Sequence, residues 1–476
     1  MSTPPTPEEI PEVVELVASV AGAYLAGVAD RPVRDPKAEE VATSFGGPLP
    51  EDGVGAVRAL EELSEALDGA VHSAGPRFFH FVNGGVTPAA LGADWLTSTL
   101  DQNAGAWVSA PLGVHLEQVA LGWLRDLFGL PAGWGGVLTT GATMANFVAL
   151  ACARRWWAER HGIDVERDGL SGAPSVPVFG SGYVHPSDVK ALSMLAIGRE
   201  RVRMLARDEV GRLDLEALER ELAALGGAPA IVIASAGEVN AGDFDPIEPI
   251  ADLCDRHGAW LHVDGAFGLF AALSPRSAHL VRGVERASSV IADGHKWLNV
   301  PYDCGFAFVR DPSLQLPVFA SGAPYLPPLD DPHPDMGYLG PEMSRRARGF
   351  DVWATLRAYG RSGYRAIVER HLDLAQRLAA AVDAAPDLER LADVPLNIVC
   401  FRARPAGVPE DRLDELNRRI GEAVIADGRV FFGTTRYGGR VAFRPAPVNW
   451  RNGPPEIDMI VEVTRELAAR VAADIG

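Results

Sequence analysis

Hydrophobic positions in the middle of the chain alternate between short, continuous apolar runs and longer stretches with a helical period. The apolar runs predict buried strands at 136–139, 176–180, 230–235, 259–264, 289–292 and 305–309. The helical patterns between them predict helices at 114–128, 143–161, 186–197, 215–225 and 247–257. Strands that alternate with helices form a mainly parallel sheet with both faces covered, and ligands bind beyond the carboxyl ends of such strands.

The two ends of the chain have other patterns. Helical spacing predicts helices at 7–30 and 57–67, whereas residues 75–113 have no regular period and predict an irregular segment that lines a site. Towards the other end, the predicted elements are helices at 351–385, 410–427 and 456–473 and strands at 398–402, 430–432 and 440–444. We therefore expect an N-terminal helical arm over 1–85, a large α/β domain over 86–355 and a small α+β domain over 356–476.

Composition narrows the possible partners and the compartment. The formal net charge of −19 argues against nucleic acid or an anionic membrane as a partner. Cys152, Cys254, Cys304 and Cys400 form no CxxC and no Cys/His cluster, which favours reduced thiols in a cytoplasmic protein over disulfides or a metal site. No secretion signal and no apolar run of about 18 residues is visible, so we expect no membrane-spanning helix.

Lys296 is the first candidate for chemistry. The chain has 44 Lys+Arg, yet its only other lysines are Lys37 and Lys190, so arginine supplies nearly all of the basic surface charge. Lys296 follows a histidine just beyond a predicted strand. Its amine, unlike a guanidinium, can lose a proton and form a Schiff base with an aldehyde. A surface lysine in a loop is the alternative interpretation.

Two further groups lie where predicted strands end. Asp264 closes an apolar strand and is placed to hold a pyridine nitrogen in its protonated form, although a carboxylate there could also cap a helix. His185 could stack on a planar ring or accept a proton, or it could cap the helix that follows. With an aspartate at one strand end and a lysine at the next, the paired functional interpretation is favoured.

An anion site is predicted at another strand–helix junction. Gly141, Ala142 and Thr143 form a turn whose backbone N–H groups and hydroxyl suit a phosphate, although this signal is weak alone. Asp293 and His295, which flank the lysine, could complete it. An aldehyde, a pyridine ring and a phosphate occur together in pyridoxal 5'-phosphate (PLP). The order of these groups along the chain suits a PLP-dependent enzyme of fold type I, the aspartate-aminotransferase-like fold.

These motifs resemble those of the group II PLP-dependent amino acid decarboxylases, which include aromatic-L-amino-acid and glutamate decarboxylases. The similarity runs from about residue 76 to the end of the chain. It is carried by GPRFFHFVNG, GGVLTTGATMANFVALACAR, AWLHVDGAFG and ADGHKWLNVPYDCG, together with the histidine motif VHPS. The resemblance implies that Lys296 forms the Schiff base, that Asp264 pairs with the pyridine nitrogen and that His185 stacks on the ring.

The same resemblance implies further roles. Ala142, Thr143, Asp293 and His295 correspond to phosphate-binding positions, and Ala266 corresponds to the small residue under the ring. Tyr325 resembles the tyrosine of the family's mobile catalytic loop, which protonates Cα after carbon dioxide leaves and favours an amine over an aldehyde as product; a packing tyrosine is the alternative. The family also implies a homodimer with the site at its interface.

The substrate is less well defined than the chemistry. Phe79, Phe81 and Trp107 are predicted walls of the substrate pocket, and an aromatic L-amino acid is slightly favoured over an aliphatic or acidic one. Glu238, Val239 and Asn240 stand where the family has threonines, and their role is open.

Several other functions remain open. A PLP-dependent aminotransferase is possible, and Arg444 could then hold the α-carboxylate, although it could equally be a structural ion-pair residue. An aldehyde synthase and a carbon–carbon lyase of the same fold are also possible. A PLP-binding protein without catalytic activity is disfavoured because the catalytic set is present.

Overall fold

The structure is a computed structural model that describes residues 5–322, 328, 329, 333 and 335–475. Its α-helices are α1 (Ile10–Gly27), α2 (Ala38–Ser44), α3 (Ala56–Glu65), α4 (Pro88–Leu100), α5 (Pro111–Phe128), α6 (Ala142–Glu159), α7 (Val165–Asp168), α8 (Pro186–Met194), α9 (Leu215–Ala224), α10 (Ile247–His257), α11 (Gln315–Phe319), α12 (Gly349–Ala384), α13 (Leu413–Asp427) and α14 (Pro454–Ile475). Its strands are β1 (Gly135–Thr139), β2 (Val178–Gly180), β3 (Val202–Met204), β4 (Ile231–Ser235), β5 (Trp260–Asp264), β6 (Ser289–Asp293), β7 (Gly305–Val309), β8 (Leu388–Arg390), β9 (Phe401–Ala403), β10 (Thr434–Tyr437) and β11 (Arg440–Phe443).

A seven-stranded sheet with the order β1-β7-β6-β5-β4-β2-β3 forms the centre of the molecule. Strands β2 to β6 pair in parallel, which confirms the predicted α/β architecture, whereas β7 is antiparallel to both β1 and β6. Every residue of β4, β5, β6 and β7 is buried. Because helices cover both faces, these strands carry continuous apolar runs, and this is the pattern that made them predictable.

A second, antiparallel sheet with the order β10-β11-β9-β8 lies nearer the end of the chain. Its core contains Phe401, Phe432 and Phe443, packed edge to face, together with apolar side chains of α13 and α14. The predicted limits of the domains stay predictions, because α12 runs through the limit at residue 355 and continues past a kink at Gly360, where φ is 59°.

Some predicted elements differ from the observed ones. The segment 75–113 is not irregular throughout, because it contains α4. Thr87 accepts a hydrogen bond from the backbone N–H of Ala90 at 3.4 Å, and Pro88 occupies the first helical position. Both residues favour the start of a helix. The strand predicted at 430–432 is a single bridge between Phe78 and Phe431, and β10 forms a few residues later.

The N-terminal segment lies on the outside of the molecule. No residue of α1 or α3 is buried. By length and composition alone, the helix Pro7–Gly27 is long and apolar enough to cross a membrane, so the expectation that no segment has this property is not met. Cys152, Cys254, Cys304 and Cys400 are free and buried.

Candidate active site

A cavity of about 440 Å³ opens at the carboxyl edge of the central sheet. Because β4, β5 and β6 end together at this edge, the residues that follow them meet in one place. All of the residues predicted to bind the cofactor line this cavity: Gly141, Ala142, Thr143, His185, Asp264, Ala266, Asp293, His295 and Lys296.

The main chain at Lys296 is held in position from several sides. The side-chain amide of Asn299 donates to the carbonyl of Lys296 at 3.3 Å and to that of Trp297 at 2.8 Å. The indole N–H of Trp297 donates to Nδ1 of His371 at 2.8 Å. A Cβ on Gly84 would come within 1.7 Å of the Lys296 carbonyl oxygen, so only glycine allows this close approach. The lysine amine is therefore presented to the cavity by a fixed backbone.

Gly294 shows why a proline is unsuitable just before His295. Its N–H donates to the carbonyl of Cys304 at 3.0 Å, and proline has no N–H to give. A Cβ at this position would also lie 2.8 Å from Sγ of Cys304. The turn before His295 is therefore packed too closely for a side chain at residue 294.

One end of the cavity is suited to an anion. Gly141 precedes the 18-residue helix α6 and gives it no side-chain cap, so the N–H groups of its first turn can meet a ligand, apart from that of Ala142, which donates to Asp293. A Cβ on Gly141 would lie 3.1 Å from Cε1 of His295. Nδ1 of His295 is buried and has no hydrogen-bond partner among the described residues, and burial lowers the pKa of this histidine. An open helix end and an unpartnered imidazole nitrogen thus share one space that a phosphate fits.

Asp293 lies at the same end of the cavity but contacts protein groups rather than the space for the anion. Its Oδ1 accepts from the N–H of Ala142 at 2.6 Å, and its Oδ2 lies 3.2 Å from the amine of Lys296 and 3.5 Å from Nε2 of His295. A carboxylate repels a phosphate, so this geometry supports a role in orienting Lys296 and the helix end. It gives less support to the predicted role as a phosphate ligand.

Asp264 faces the cavity from the other end and stays ionised. Its carboxylate accepts from the side-chain amide of Asn146 at 3.1 Å and from the N–H of Ala266 at 3.0 Å. Burial acts to raise its pKa, but the neighbouring His185 and Lys296, together with these hydrogen bonds, hold the pKa below its usual range. A buried carboxylate of this kind can hold a protonated ring nitrogen.

His185 begins α8 beside this carboxylate. Its Nδ1 accepts from the N–H of Ser187 at 3.2 Å and lies 2.7 Å from the hydroxyl oxygen of the same serine. Since Nδ1 is an acceptor, the neutral ring carries its proton on Nε2. Burial is the main cause that lowers the pKa of His185, so the ring is suited to stacking as a neutral group.

The outer side of the cavity is mostly apolar. Phe81, Val82, Met144, Val239 and Phe267 line it. Phe81 is 62% exposed, so its ring is open to a ligand or a partner chain. This part of the cavity therefore has the character of a pocket for an apolar side chain.

Two charged residues face each other on this apolar side. The Glu238 carboxylate accepts from the backbone N–H of Asn240 at 2.8 Å and contacts that of Ala241, and burial raises its pKa. Arg444 lies just after β11, buried, with Nη1 lacking a partner among the described residues. Burial lowers the pKa of Arg444, and the charge of Glu238 opposes that shift. Glu238 was recognised in the sequence only as a departure from the family pattern, because a buried glutamate has no periodic signal.

The structure separates two predicted substrate walls from the cavity. Phe79 is 1% exposed and packs in the core of the small sheet, whereas the chain turns at Phe81, where φ is 55°. Trp107 stacks on His333 at 4.7 Å and does not line the cavity within one chain. Phe81 does line it, and Tyr325 lies outside the described residues.

Comparison with known proteins gives one family. A family model described as the pyridoxal-dependent decarboxylase conserved domain matches residues 58–404. An aromatic-L-amino-acid decarboxylase of Bacillus atrophaeus is 28% identical over 432 residues, covering 89% of this chain and 88% of the relative. An L-2,4-diaminobutyrate decarboxylase of Rhizobium meliloti (strain 1021) is 32% identical over 428 residues, covering 88% and 84%.

Among solved structures, Oryza sativa TDC with PLP and tryptamine matches with a TM-score of 0.90 and 24% identity, covering 99% of both chains. This match confirms the predicted fold. The relatives differ in the side chains of their substrates, which are aromatic, cationic or acidic.

Proposed function

The chain belongs to the pyridoxal-dependent decarboxylase family, and from that premise we propose that it converts an L-amino acid with an uncharged, preferably aromatic, side chain into the amine and carbon dioxide. Family membership makes it a PLP-dependent amino acid decarboxylase and hence a carboxy-lyase. The substrate, the roles of the site residues and the assembly are the proposed part.

The observation that carries the proposal is the placement of Asp264 and Lys296 at the ends of neighbouring parallel strands. They face one cavity whose far end is an open helix N-terminus beside an unpartnered His295 nitrogen. A carboxylate, an amine and an anion site in this order suit the ring nitrogen, the aldehyde and the phosphate of PLP. When bound, PLP withdraws electrons from Cα of the amino acid while the bond to the carboxylate breaks.

Each side chain then has a definite task. Lys296 provides the amine to which the cofactor aldehyde is attached, and Asp293 orients that amine through its 3.2 Å ion pair. Asp264 holds the proton of the ring nitrogen. His185 covers the ring as a neutral imidazole. The N–H groups at the start of α6 and the side chains of Thr143 and His295 hold the phosphate.

Arg444 is proposed to bind the substrate carboxylate. It is the charged donor of the outer side, its Nη1 has no partner within the described chain, and a buried guanidinium without a partner is costly. An aminotransferase would use Arg444 in the same way, but family membership makes loss of the carboxylate the reaction.

The apolar lining supports an aromatic substrate. Phe81, Val82, Val239 and Phe267 offer surface for a ring, and Glu238 faces Arg444, so the two charges of this side offset each other. An uncharged side chain leaves that balance intact, whereas an acidic one would add charge opposite Glu238.

A cationic side chain is the second candidate. Glu238 is a buried carboxylate in the cavity wall, and a relative at 32% identity is an L-2,4-diaminobutyrate decarboxylase. A second amine on the substrate could pair with Glu238, which would leave Arg444 for the α-carboxylate. This candidate is favoured if the charge of Glu238 is available to the ligand.

The remaining proposals concern the product and the assembly. By its resemblance to the tyrosine of the catalytic loop, Tyr325 is proposed to return a proton to Cα, so the product is an amine. We propose a cytoplasmic homodimer, and the exposed Phe81 beside the cavity is consistent with a second subunit closing the pocket.

The test is a product assay with the holoenzyme. Purified protein with PLP is incubated with tryptophan, tyrosine, dihydroxyphenylalanine, 2,4-diaminobutyrate, glutamate and aspartate, and carbon dioxide and organic products are followed by mass spectrometry. An amine with equimolar carbon dioxide from an aromatic substrate supports the proposal. Turnover of diaminobutyrate alone selects the second candidate, and an aldehyde or 2-oxo acid without amine contradicts both.

A further inference from the structure

A chain of hydrogen bonds runs behind Asp264, away from the cavity. The indole N–H of Trp260 donates to the Ser289 hydroxyl oxygen at 3.0 Å, and that hydroxyl lies 2.9 Å from Nδ1 of His262. Nε2 of His262 lies 3.0 Å from the side-chain oxygen of Asn146. The amide nitrogen of Asn146 donates to Asp264 at 3.1 Å.

This chain fixes the tautomer of the neutral His262 ring. The Asn146 amide uses its nitrogen as a donor to Asp264 and to the Ser187 hydroxyl, so its oxygen must accept from Nε2 of His262. Ser289 accepts from Trp260 and can therefore donate its own proton to Nδ1. Burial lowers the pKa of His262 to about 4, so the ring is neutral near pH 7, with Nε2 donating and Nδ1 accepting.

Asp188 lies beside this chain without a counter-charge. It is 0% exposed on α8, and neither of its carboxyl oxygens has a donor in hydrogen-bond geometry among the described residues. Its Oδ1 lies 3.5 Å from Nε2 of His262, which also contacts Asn146, the residue that binds Asp264. Asp188 and Asp264 therefore lie on the same pair of side chains, and the charge of Asp264 acts on Asp188. The nearby His262 is neutral, so it cannot balance a negative charge on Asp188.

Two buried carboxyls side by side cannot both be ionised, so one of them holds a proton. Asp264 accepts two N–H groups and lies near Lys296, which stabilises its charged form. Asp188 has no side-chain donor in hydrogen-bond geometry among the described residues, and only backbone contacts in its own turn favour its charged form. Burial first, and then the charge of Asp264, raise the pKa of Asp188 well above its usual range, and backbone contacts in the same turn are outweighed.

We propose that Asp188 is a positioning residue whose neutral carboxyl donates a hydrogen bond to Asp264 from the side away from the cavity. The inference deepens the proposed function, since it concerns the carboxylate that holds the cofactor ring nitrogen, and it rests on that function. The donor removes electron density from Asp264, so the carboxylate is a weaker base. The shared proton then remains on the ring nitrogen rather than moving to Asp264.

Two substitutions separate this role from a merely structural one. Asp188→Asn keeps a donor of the same shape and stays neutral, whereas Asp188→Val keeps the volume and removes the donor. Asp351→Asn is the matched control, because Asp351 is another buried carboxyl, with its pKa raised by burial to about 7, and it lies on α12 away from the cavity lining.

The first readout is the pH titration of the visible absorption of the cofactor bound to Lys296. The wild-type holoenzyme, Asp188→Asn and Asp351→Asn are expected to titrate alike. Asp188→Val is expected to titrate at higher pH by about one unit, the shift that the loss of one hydrogen bond to a charged group produces. Its kcat should fall about tenfold with little change in KM, by the same arithmetic.

The second readout is urea unfolding of the full-length holoenzyme at several pH values. An ordinary aspartate has a pKa of about 3.9 when unfolded, so a folded-state Asp188 with a raised pKa takes up a proton on folding. Stability is then lost as pH rises between the two pKa values. Between these pKa values, Asp188 should make the unfolding equilibrium constant of the wild type increase about tenfold per pH unit. Asp188→Asn should lack this contribution.

Three results would overturn the inference. The first is that Asp188→Asn shifts the absorption as far as Asp188→Val, which would mean that Asp188 is charged. The second is that all variants titrate alike, and the third is an unchanged pH slope in Asp188→Asn. If Asp188→Val does not fold, the slope of Asp188→Asn decides alone. If the absorption and slope results hold but no amino acid yields an amine, the proposed function fails and the inference stands.

Discussion

The two sides of the cavity are built differently. The inner wall, formed by His185, Ser187 and Asp264 and supported from behind by Asn146, is a network in which the side chains hydrogen bond to one another. The outer wall, formed by Phe81, Val239, Glu238 and Arg444, combines an exposed ring with a guanidinium nitrogen that lacks a partner among the described residues. A wall whose polar groups are already paired holds one partner in a fixed position. A wall with an unpaired donor can still bind a ligand through that donor. Reaction type is therefore expected to depend on the inner wall and substrate choice on the outer one.

Lys296→Ala tests the inner side most severely. Removing the amine should eliminate the visible absorption of the lysine-bound cofactor and reduce turnover by about 10⁴-fold or more, the scale seen when a covalent nucleophile is removed. Absorption spectra and an amine assay measure both effects. Lys190→Ala is the control, because Lys190 is exposed on α8. Full activity in Lys296→Ala would remove this lysine from the mechanism.

Asp264→Asn should have the next largest effect. The amide preserves the shape but cannot carry the charge that keeps the ring nitrogen protonated, so kcat should fall by about 10²- to 10⁴-fold for every substrate. Cofactor attachment should persist, as judged by absorption. If kcat falls for one substrate and not for others, the inner wall also selects substrates, and the comparison between the two walls is wrong.

The sequence predicted the inner wall better than the outer one, for physical reasons. Asp264 ends one fully buried strand and Lys296 follows another, so a continuous apolar run marks where each functional residue must lie. Phe79 and Phe81 stand two residues apart in one aromatic stretch, yet one is in the core of the small sheet and the other at the cavity. No periodicity distinguishes them, because packing between distant segments decides which side is buried.

The hydrogen-bond network around Asp188 could not be predicted from the sequence either. Asn146 and His262 belong to different elements, α6 and β5, and their 3.0 Å contact depends on how these elements pack. In the sequence, Asp188 has the pattern of an ordinary helix-start carboxylate, which is usually exposed. Only its burial and the absence of a donor in the described chain indicate another role.

Arg444→Leu is the strongest test of the outer wall. If the guanidinium binds the substrate carboxylate, its loss should raise KM by about 30-fold or more, since truncating one partner of a buried charge pair costs about 2–5 kcal/mol. Attachment of the cofactor should be unaffected, and Arg444→Lys should recover part of the loss. A fall in kcat with unchanged KM would instead show that Arg444 supports Glu238 or the fold.

Glu238→Gln should have the smallest effect, and a selective one. Neutralising this carboxylate should lower the rate ratio of 2,4-diaminobutyrate to an aromatic amino acid by about tenfold, the worth of one charged hydrogen bond, with the aromatic rate nearly unchanged. Because burial raises the pKa of Glu238, the wild-type ratio should also fall as pH decreases through that raised pKa, since the wall then loses its charge. Competition assays with both substrates at several pH values measure the ratio. A ratio that is the same in Glu238→Gln and at every pH would mean that Glu238 serves only Arg444 and the backbone amides of Asn240 and Ala241, and that substrate choice comes from the apolar part of the wall.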